Sequence, residues 1–317
     1  YARESALLKG IITDEEQEAT VRAELSIGTE KYKVKLSPTG MNLDMIGDIS
    51  KRAYKVKVLG GEKIYGMVEF KLLPPRSRHR IVEWVGHALE DREGLISLRY
   101  FFVELTLNGD DLGVYAVEEH FNKELLENRK AREGIIFSKI SKNIKIFNSK
   151  KISKNPINRN RIRFLRTALQ GIKNNEIEVS RIFDLEKFAT SFAIIDLMYG
   201  YHATGSNAIY YFNPITNLIE PITREYNSLR YSNYNHFNGL MIDFFQKEVK
   251  GDGSVEGLIE ATNHFANKLF QNKDFHTQYL MQLLKLSDKK YLDDFFEDVD
   301  EDLSIQKKIL YRDEPFY

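Results

Sequence analysis

The first residues with chemical promise flank a short hairpin. Asn207 lies just before Ala208-Ile209-Tyr210-Tyr211-Phe212, a turn follows at Asn213-Pro214, and Leu218-Ile219-Glu220-Pro221-Ile222 returns toward Glu225. A hairpin brings its two ends together, so Asn207 and Glu225 are predicted to meet at its mouth. An amide oxygen and a carboxylate are hard donors, of the kind Mg²⁺ or Mn²⁺ takes. His202, five residues before Asn207, is a candidate general base, because an unperturbed imidazole titrates at about 6.5. Asp196, six residues upstream in a helical pattern, is the nearby acid that would help position an acceptor. Each has a plainer alternative: a hydrogen-bonded loop histidine, an Asx turn at Asn207, and a solvated acid paired with Arg224.

Several chemistries are excluded. The chain of 317 residues has no cysteine, which removes disulfides, thiolate metal sites and thiol nucleophiles. No GxGxxG, Walker A, HExxH or GxSxG pattern supports a dinucleotide site, a P-loop, a zincin or a nucleophile elbow. Lys plus Arg and Asp plus Glu both number 46, so the formal net charge is zero. A dedicated nucleic-acid binder carries a basic excess, so no nucleic-acid partner is expected. No apolar run nears the ~20 residues that span a bilayer, so no transmembrane segment is expected in this fragment. The sequence opens on Tyr1, and we expect it to belong to a longer product.

The elements that must hold these groups read as a two-lobed α+β chain. Residues 1–121 form the strand-rich N-lobe. Residues 31–36, 53–58 and 67–72 alternate polar and apolar side chains as half-buried strands do. Ile81, Trp84, Val85, Ala88 and Leu89 recur at helical spacing, and Gly94 is a stop signal. A hairpin over 100–107 and 112–117 loops through Asn108-Gly109-Asp110-Asp111. Residues 122–317 are read as a mostly helical C-lobe that holds the metal and catalytic groups. Residues 139–163 are rich in Lys, Asn, Ser and Ile, and are expected to be an exposed linker or insertion. Its basic run suggests a phosphate contact or, as the preferred reading, a solvated loop. Arg76, Arg78 and Arg80, before the helix, are candidates to grip phosphate. The acids between Asp293 and Asp302 lack EF-hand spacing and suit a solvated helix face.

The order of these parts is that of protein kinases: a strand-rich lobe, a link through Val117-Glu118-Glu119-His120, helices, a loop ending in Asn, a hairpin, then an acid. At this point the chain resembles the CotH (spore coat protein H) kinase family, an atypical branch of the protein-kinase-like fold. The resemblance rests on Lys51-Arg52-Ala53-Tyr54-Lys55-Val56-Lys57, Tyr65-Gly66-Met67, and Arg99-Tyr100-Phe101-Phe102-Val103 through Asn108-Gly109. It continues in Leu112-Gly113-Val114-Tyr115, Glu118-Glu119-His120-Phe121, Ile195-Asp196-Leu197, Gly200-Tyr201-His202, and Asn207 with Tyr210-Tyr211-Phe212-Asn213-Pro214. It covers roughly residues 20–230, and is most specific from Asn108 to Glu119.

The resemblance implies an antiparallel-sheet N-lobe with one main helix, and phosphoryl transfer from ATP to Ser or Thr of a surface, spore-coat or envelope protein, with Mg²⁺ or Mn²⁺. It also suggests an exported or envelope-associated location. By position it implies Lys55 or Lys57 on the nucleotide phosphates, a helix acid (Glu83 or Glu90) paired with that lysine, and Glu118 and Glu119 near the adenine-side hinge. Asn207 would bind the metal, with Glu225 and Asn227 where the family has acids. Most relatives carry Asp where His202 stands, and an aromatic-Asp pair in place of Arg224-Glu225. The alternative expectation is therefore an inactive kinase-fold module that binds or assembles partner proteins at a cell or spore surface.

Overall fold

The computed structural model describes residues 20–40, 51–140, 143–204, 207–226 and 264–316. Asn227 lies outside these described residues. The first strands are β1 (Val21–Ile27), β2 (Glu30–Pro38), β3 (Tyr54–Val58) and β4 (Glu69–Leu73). A 3-10 turn at Pro75–Arg78 leads into α1 (Ile81–Arg92), and β5 (Tyr100–Leu107) and β6 (Asp110–Glu119) follow. They make one sheet in the order β1-β2-β3-β4-β6-β5, with every neighbouring pair antiparallel. The β5–β6 turn places Asn108 and Gly109 at φ 54° and 93°, the backbone that a tight two-residue hairpin demands.

Alternation along the strands separates two faces. Val34, Val56, Val58, Phe70, Leu72, Tyr115 and Val117 form the apolar core of one. The other carries a polar row set by register, with Lys55 opposite Lys71, Lys71 opposite Glu118, and Glu118 opposite Tyr100. Beside that row, Leu73, Phe102, Val114 and Ala116 pack with Ile81 and Trp84 of α1.

Helix α1 departs from the usual amphipathic pattern. Trp84 packs on the core, but only as a partly buried residue. The fully buried stripe instead carries Glu83, His87 and Glu90 together with Leu89. Buried polar side chains are costly unless paired, so a helix that turns such a stripe inward is organised around more than packing.

The remaining elements are α2 (Lys123–Asn128), β7 (Ile135–Ile140), β8 (Asn143–Ile146), α3 (Ser149–Ile152), α4 (Pro156–Lys173) and α5 (Leu185–Leu197). After them come β9 (Ile209–Phe212), β10 (Ile219–Ile222), α6 (His264–Phe270), α7 (Lys273–Leu286), α8 (Lys289–Asp298) and α9 (Asp300–Leu310). The expected strand pair is β9–β10, and it belongs to a four-stranded antiparallel sheet in the order β10-β9-β7-β8. Residues 139–163, expected as an exposed linker or insertion, contain the end of β7, all of β8 and α3, and the start of α4. Asn155 caps α4, its Oδ1 accepting from Ile157 N at 2.9 Å, and Asp184 caps α5 by accepting from Lys187 N at 3.2 Å. Phe192, Phe270, Phe275 and Tyr279 interlock edge to face between α5, α6 and α7.

Two compact units are each assembled from separate stretches of the sequence. One unit is Tyr1–Val85, Leu98–His120 and Val299–Tyr317; the other is Gly86–Ser97 and Phe121–Asp298. The C-terminal piece joins the six-stranded sheet because α9 buries Leu310 there and Gln306 accepts from Phe102 N at 2.8 Å. The second half of α1 joins the helical unit because Gly86 and His87 pack on Tyr226.

Candidate functional site

In the helical unit, His202 stands at the centre of a polar constellation. A 3-10 turn at Tyr201–Ala203 follows α5 and presents the imidazole. Asn207 Nδ2 donates to the His202 carbonyl at 3.1 Å and contacts His202 Nε2 at 3.0 Å. A carbonyl only accepts, so the Asn207 amide is oriented with its nitrogen toward His202. Nε2 must then accept, which places the imidazole proton on Nδ1. Nδ1 faces Glu225 Oε2 at 3.1 Å. The other Glu225 oxygen is held by the Arg224 guanidinium, which lies 5.5 Å from the Phe121 ring centroid. Asn207 and Glu225 thus meet through His202, as the hairpin geometry predicts.

The chain around Glu225 is tightly fixed. Glu225 is buried and has φ 65°, a conformation uncommon for a side chain of its size. The adjoining Tyr226 is fully buried against two glycines. A Cβ on Gly86 would come within 2.4 Å of its ring, and one on Gly200 within 2.9 Å of its Cα. His87 meets the Tyr226 ring edge to face at 5.8 Å and contacts Glu90 Oε2 through Nδ1 at 3.1 Å. Burial pushes the Glu90 carboxyl above its ordinary value, against the pull of His87, Thr223 and Tyr226. Asp196, near the end of α5, accepts a hydrogen bond from the Tyr279 hydroxyl of α7.

In the sheet unit, Glu118 collects two cations. Lys71 Nζ lies 2.7 Å from its Oε1 and Arg78 Nε 2.9 Å from its Oε2, with Glu118 and Arg78 both buried. Glu83 is fully buried nearby. Burial and then the Glu83 charge push the Tyr100 phenol well above its ordinary value. Lys55 pairs with Glu69 at 2.7 Å, and Lys57 is exposed on the same face. Glu69 also faces His120 Nε2 at 3.1 Å. Burial drives His120 down to about 4, so it is neutral at pH 7. Burial works to raise Glu69, but the charge that His120 takes up in acid and the Lys55 ammonium prevail and hold it below the ordinary carboxylate value. Glu119 points the other way and binds Arg99, whose Nη1 reaches the Tyr65 carbonyl at 2.8 Å. Arg99 thereby ties β6 to the loop before β4.

The candidates thus gather in groups. His202, Asn207 and Glu225 lie together, with Asp196 on the helix before them. Arg78 and Glu118 lie together with Lys71, on the strand before α1, which the sequence reading passed over. The alternation of Glu69 and Lys71 with Phe70 and Leu72 is the signal that would have found it. Glu90, weighed as a lysine partner, faces His87 in the helical unit. Tyr226 was also missed, because nothing local marks a tyrosine destined to sit between two distant glycines.

The donors suit a hard cation. Among the described residues no group of three or more His, Cys, Asp or Glu side chains is placed to hold a metal ion. Mg²⁺, however, keeps several waters and takes few protein ligands. The Asn207 amide oxygen, turned away from His202, and the Glu225 carboxylate supply two oxygen donors, with Arg224 as a competing cation.

No curated protein matches this chain. No described helix is long and apolar enough to cross a membrane. A family model described as CotH kinase protein matches residues 48–302, from before β3 into α9. That span takes in the Glu118 cluster and the His202 constellation alike, and covers most of the sequence: the chain belongs to the CotH kinase family.

Proposed function

We propose that the protein is an atypical kinase that transfers the γ-phosphoryl group of ATP to a Ser or Thr hydroxyl of a surface or envelope protein, outside the cytoplasm. The observation that carries this reading is His202, held by Asn207 at 3.0 Å and facing Glu225 at 3.1 Å. His202 would position the acceptor hydroxyl by releasing one of the ring nitrogens that Asn207 and Glu225 hold, and Asp196 is the nearby acid that could take the same part. Asn207 and Glu225 would hold Mg²⁺ or Mn²⁺, and Asn227 is the further candidate ligand. The bound metal supplies charge neutralisation at the transferring phosphoryl group. Lys55, Lys57, Lys71 and Arg78 are the cations proposed for the nucleotide phosphates. Glu118 holds Lys71 and Arg78 in place, as a lysine–glutamate pair does in kinases. Glu83 supports this cluster from α1, and Glu119 fixes the end of β6. Catalysis of this kind rests on positioning and charge more than on covalent help from the protein.

One observation favours the second reading, an inactive module that binds partner proteins. Both Glu225 oxygens are already engaged, one by Arg224 and one by His202. Calorimetric and thermal-shift titration with ATP, with and without Mg²⁺ or Mn²⁺, separates the two. Ligand that binds only the native state raises the melting temperature. Metal-dependent stabilisation that disappears in Glu225→Gln supports the kinase. No nucleotide binding with either metal leaves the binding module.

A further inference from the structure

Between Gly134 and Asn175 the sequence holds eleven Lys and Arg residues and no Asp or Glu, in a chain of zero net charge. The fold puts Lys150, Lys151, Lys154, Arg159, Arg163 and Arg166 in solvent, on α3, α4 and the turn between them. None of the six forms an ion pair among the described residues. Arg159 instead donates to the carbonyls of Ser153 and Lys154 at 2.9 and 3.2 Å, which pins the turn to α4. Like charges gathered without counter-charge repel one another, and the arrangement is favourable only against an anionic partner.

A second feature narrows that partner. Helix α4 buries its apolar stripe, including Ile162, Leu165 and Leu169, yet keeps two large apolar side chains outside. Ile157 is 60% exposed and Phe164 47%. They are seven residues apart, two turns, and so lie along one edge of the exposed face, with Arg163 near its middle and Arg159 and Arg166 along the opposite edge. Phe164 leans on Phe212, with ring centroids 5.9 Å apart, and the turn after Phe212 carries Ile215, 71% exposed. An exposed helix face with guanidinium groups along one edge and aliphatic and aromatic side chains along the other fits an anionic bilayer: phosphates take the charges, and the headgroup–acyl boundary takes the apolar groups. A nucleic acid would match the charge but offers nothing to Ile157 or Ile215.

We propose that the α3–α4 face docks the protein on an anionic lipid surface. This reading is independent of the kinase proposal. The test is co-sedimentation of the whole chain with vesicles of phosphatidylcholine alone and of phosphatidylcholine with about one-third phosphatidylglycerol. The wild type is expected to partition onto the anionic vesicles only. Arg163→Glu with Arg166→Glu should lower that partition at least tenfold, and Phe164→Ser, which keeps every charge, several-fold. Both variants change exposed side chains, and an unchanged melting temperature confirms the fold. Three results would overturn the proposal: no partition onto anionic vesicles, partition that survives the charge reversal, or binding only to a soluble polyanion such as an oligonucleotide or a polyglutamate peptide.

Discussion

Glu118 and Arg78 face each other in the interior of the sheet unit, Nε to Oε2 at 2.9 Å, each almost wholly removed from water. Lys71 completes the group on the other carboxylate oxygen. Removing one member of a buried charge group leaves the rest without compensation. Glu118→Ala should therefore destabilise the fold by about 3–5 kcal/mol. Lys57→Ala, on an exposed side chain of the same face, should stay within about 0.5 kcal/mol of wild type. Urea denaturation of both variants checks the contrast, and equal effects would refute it.

His120 makes stability depend on acid. Its folded-state value is lowered from 6.5 to about 4 by burial, so the unfolded chain takes up the proton first. The contribution is fully present above pH 6.5 and is lost as pH falls toward 4, by about 3 kcal/mol in all. Glu90 works in the opposite sense: its raised value favours the folded state at low pH and is lost as pH climbs above 4.5. The difference between wild type and His120→Gln isolates the histidine. Stability curves that run parallel for the two proteins from pH 7 to pH 4 would show that His120 is not the group responsible.

Gly86 is required by Tyr226 rather than by its own backbone. A methyl group there would overlap the Tyr226 ring, at 2.4 Å from Cδ2. Gly86→Ala is expected to cost about 1–3 kcal/mol, the usual range for an overpacked core. Because Tyr226 adjoins Glu225, metal-dependent nucleotide binding should weaken as well. A double variant with Tyr226→Leu should recover part of the stability, which thermal denaturation would read directly.

Arg224 competes with a cation for Glu225. Arg224→Gln removes the competing charge and leaves a side chain of similar reach over Phe121. The half-saturating Mn²⁺ concentration for nucleotide-dependent stabilisation should fall several-fold. An unchanged or higher Mn²⁺ requirement would argue that Glu225 is not a metal ligand.

Local pattern was enough for much of this chain. Alternation predicts β2, β3 and β4, the Asn108-Gly109 turn predicts the β5–β6 hairpin, and Asp184 marks the start of α5, because each depends on neighbours within a few residues. The same logic places Asn207 and Glu225 at one hairpin mouth, and the motifs identify the family. What tertiary structure decided is which polar groups are buried and with whom. The helical periodicity of α1 points to Trp84 and Val85 as its inner face, yet Glu83, His87 and Glu90 are the deeper side chains. The partners that make such burial tolerable, Thr223 and Tyr226 for Glu90, lie more than a hundred residues away. Lys71 and Arg78 likewise meet on Glu118 only because β4 and β6 pair out of sequence order. Strand and helix signals are local free energies, summed over a few residues. Charge pairing in a low-dielectric interior is set by contacts between distant segments, and only the folded chain brings those segments together.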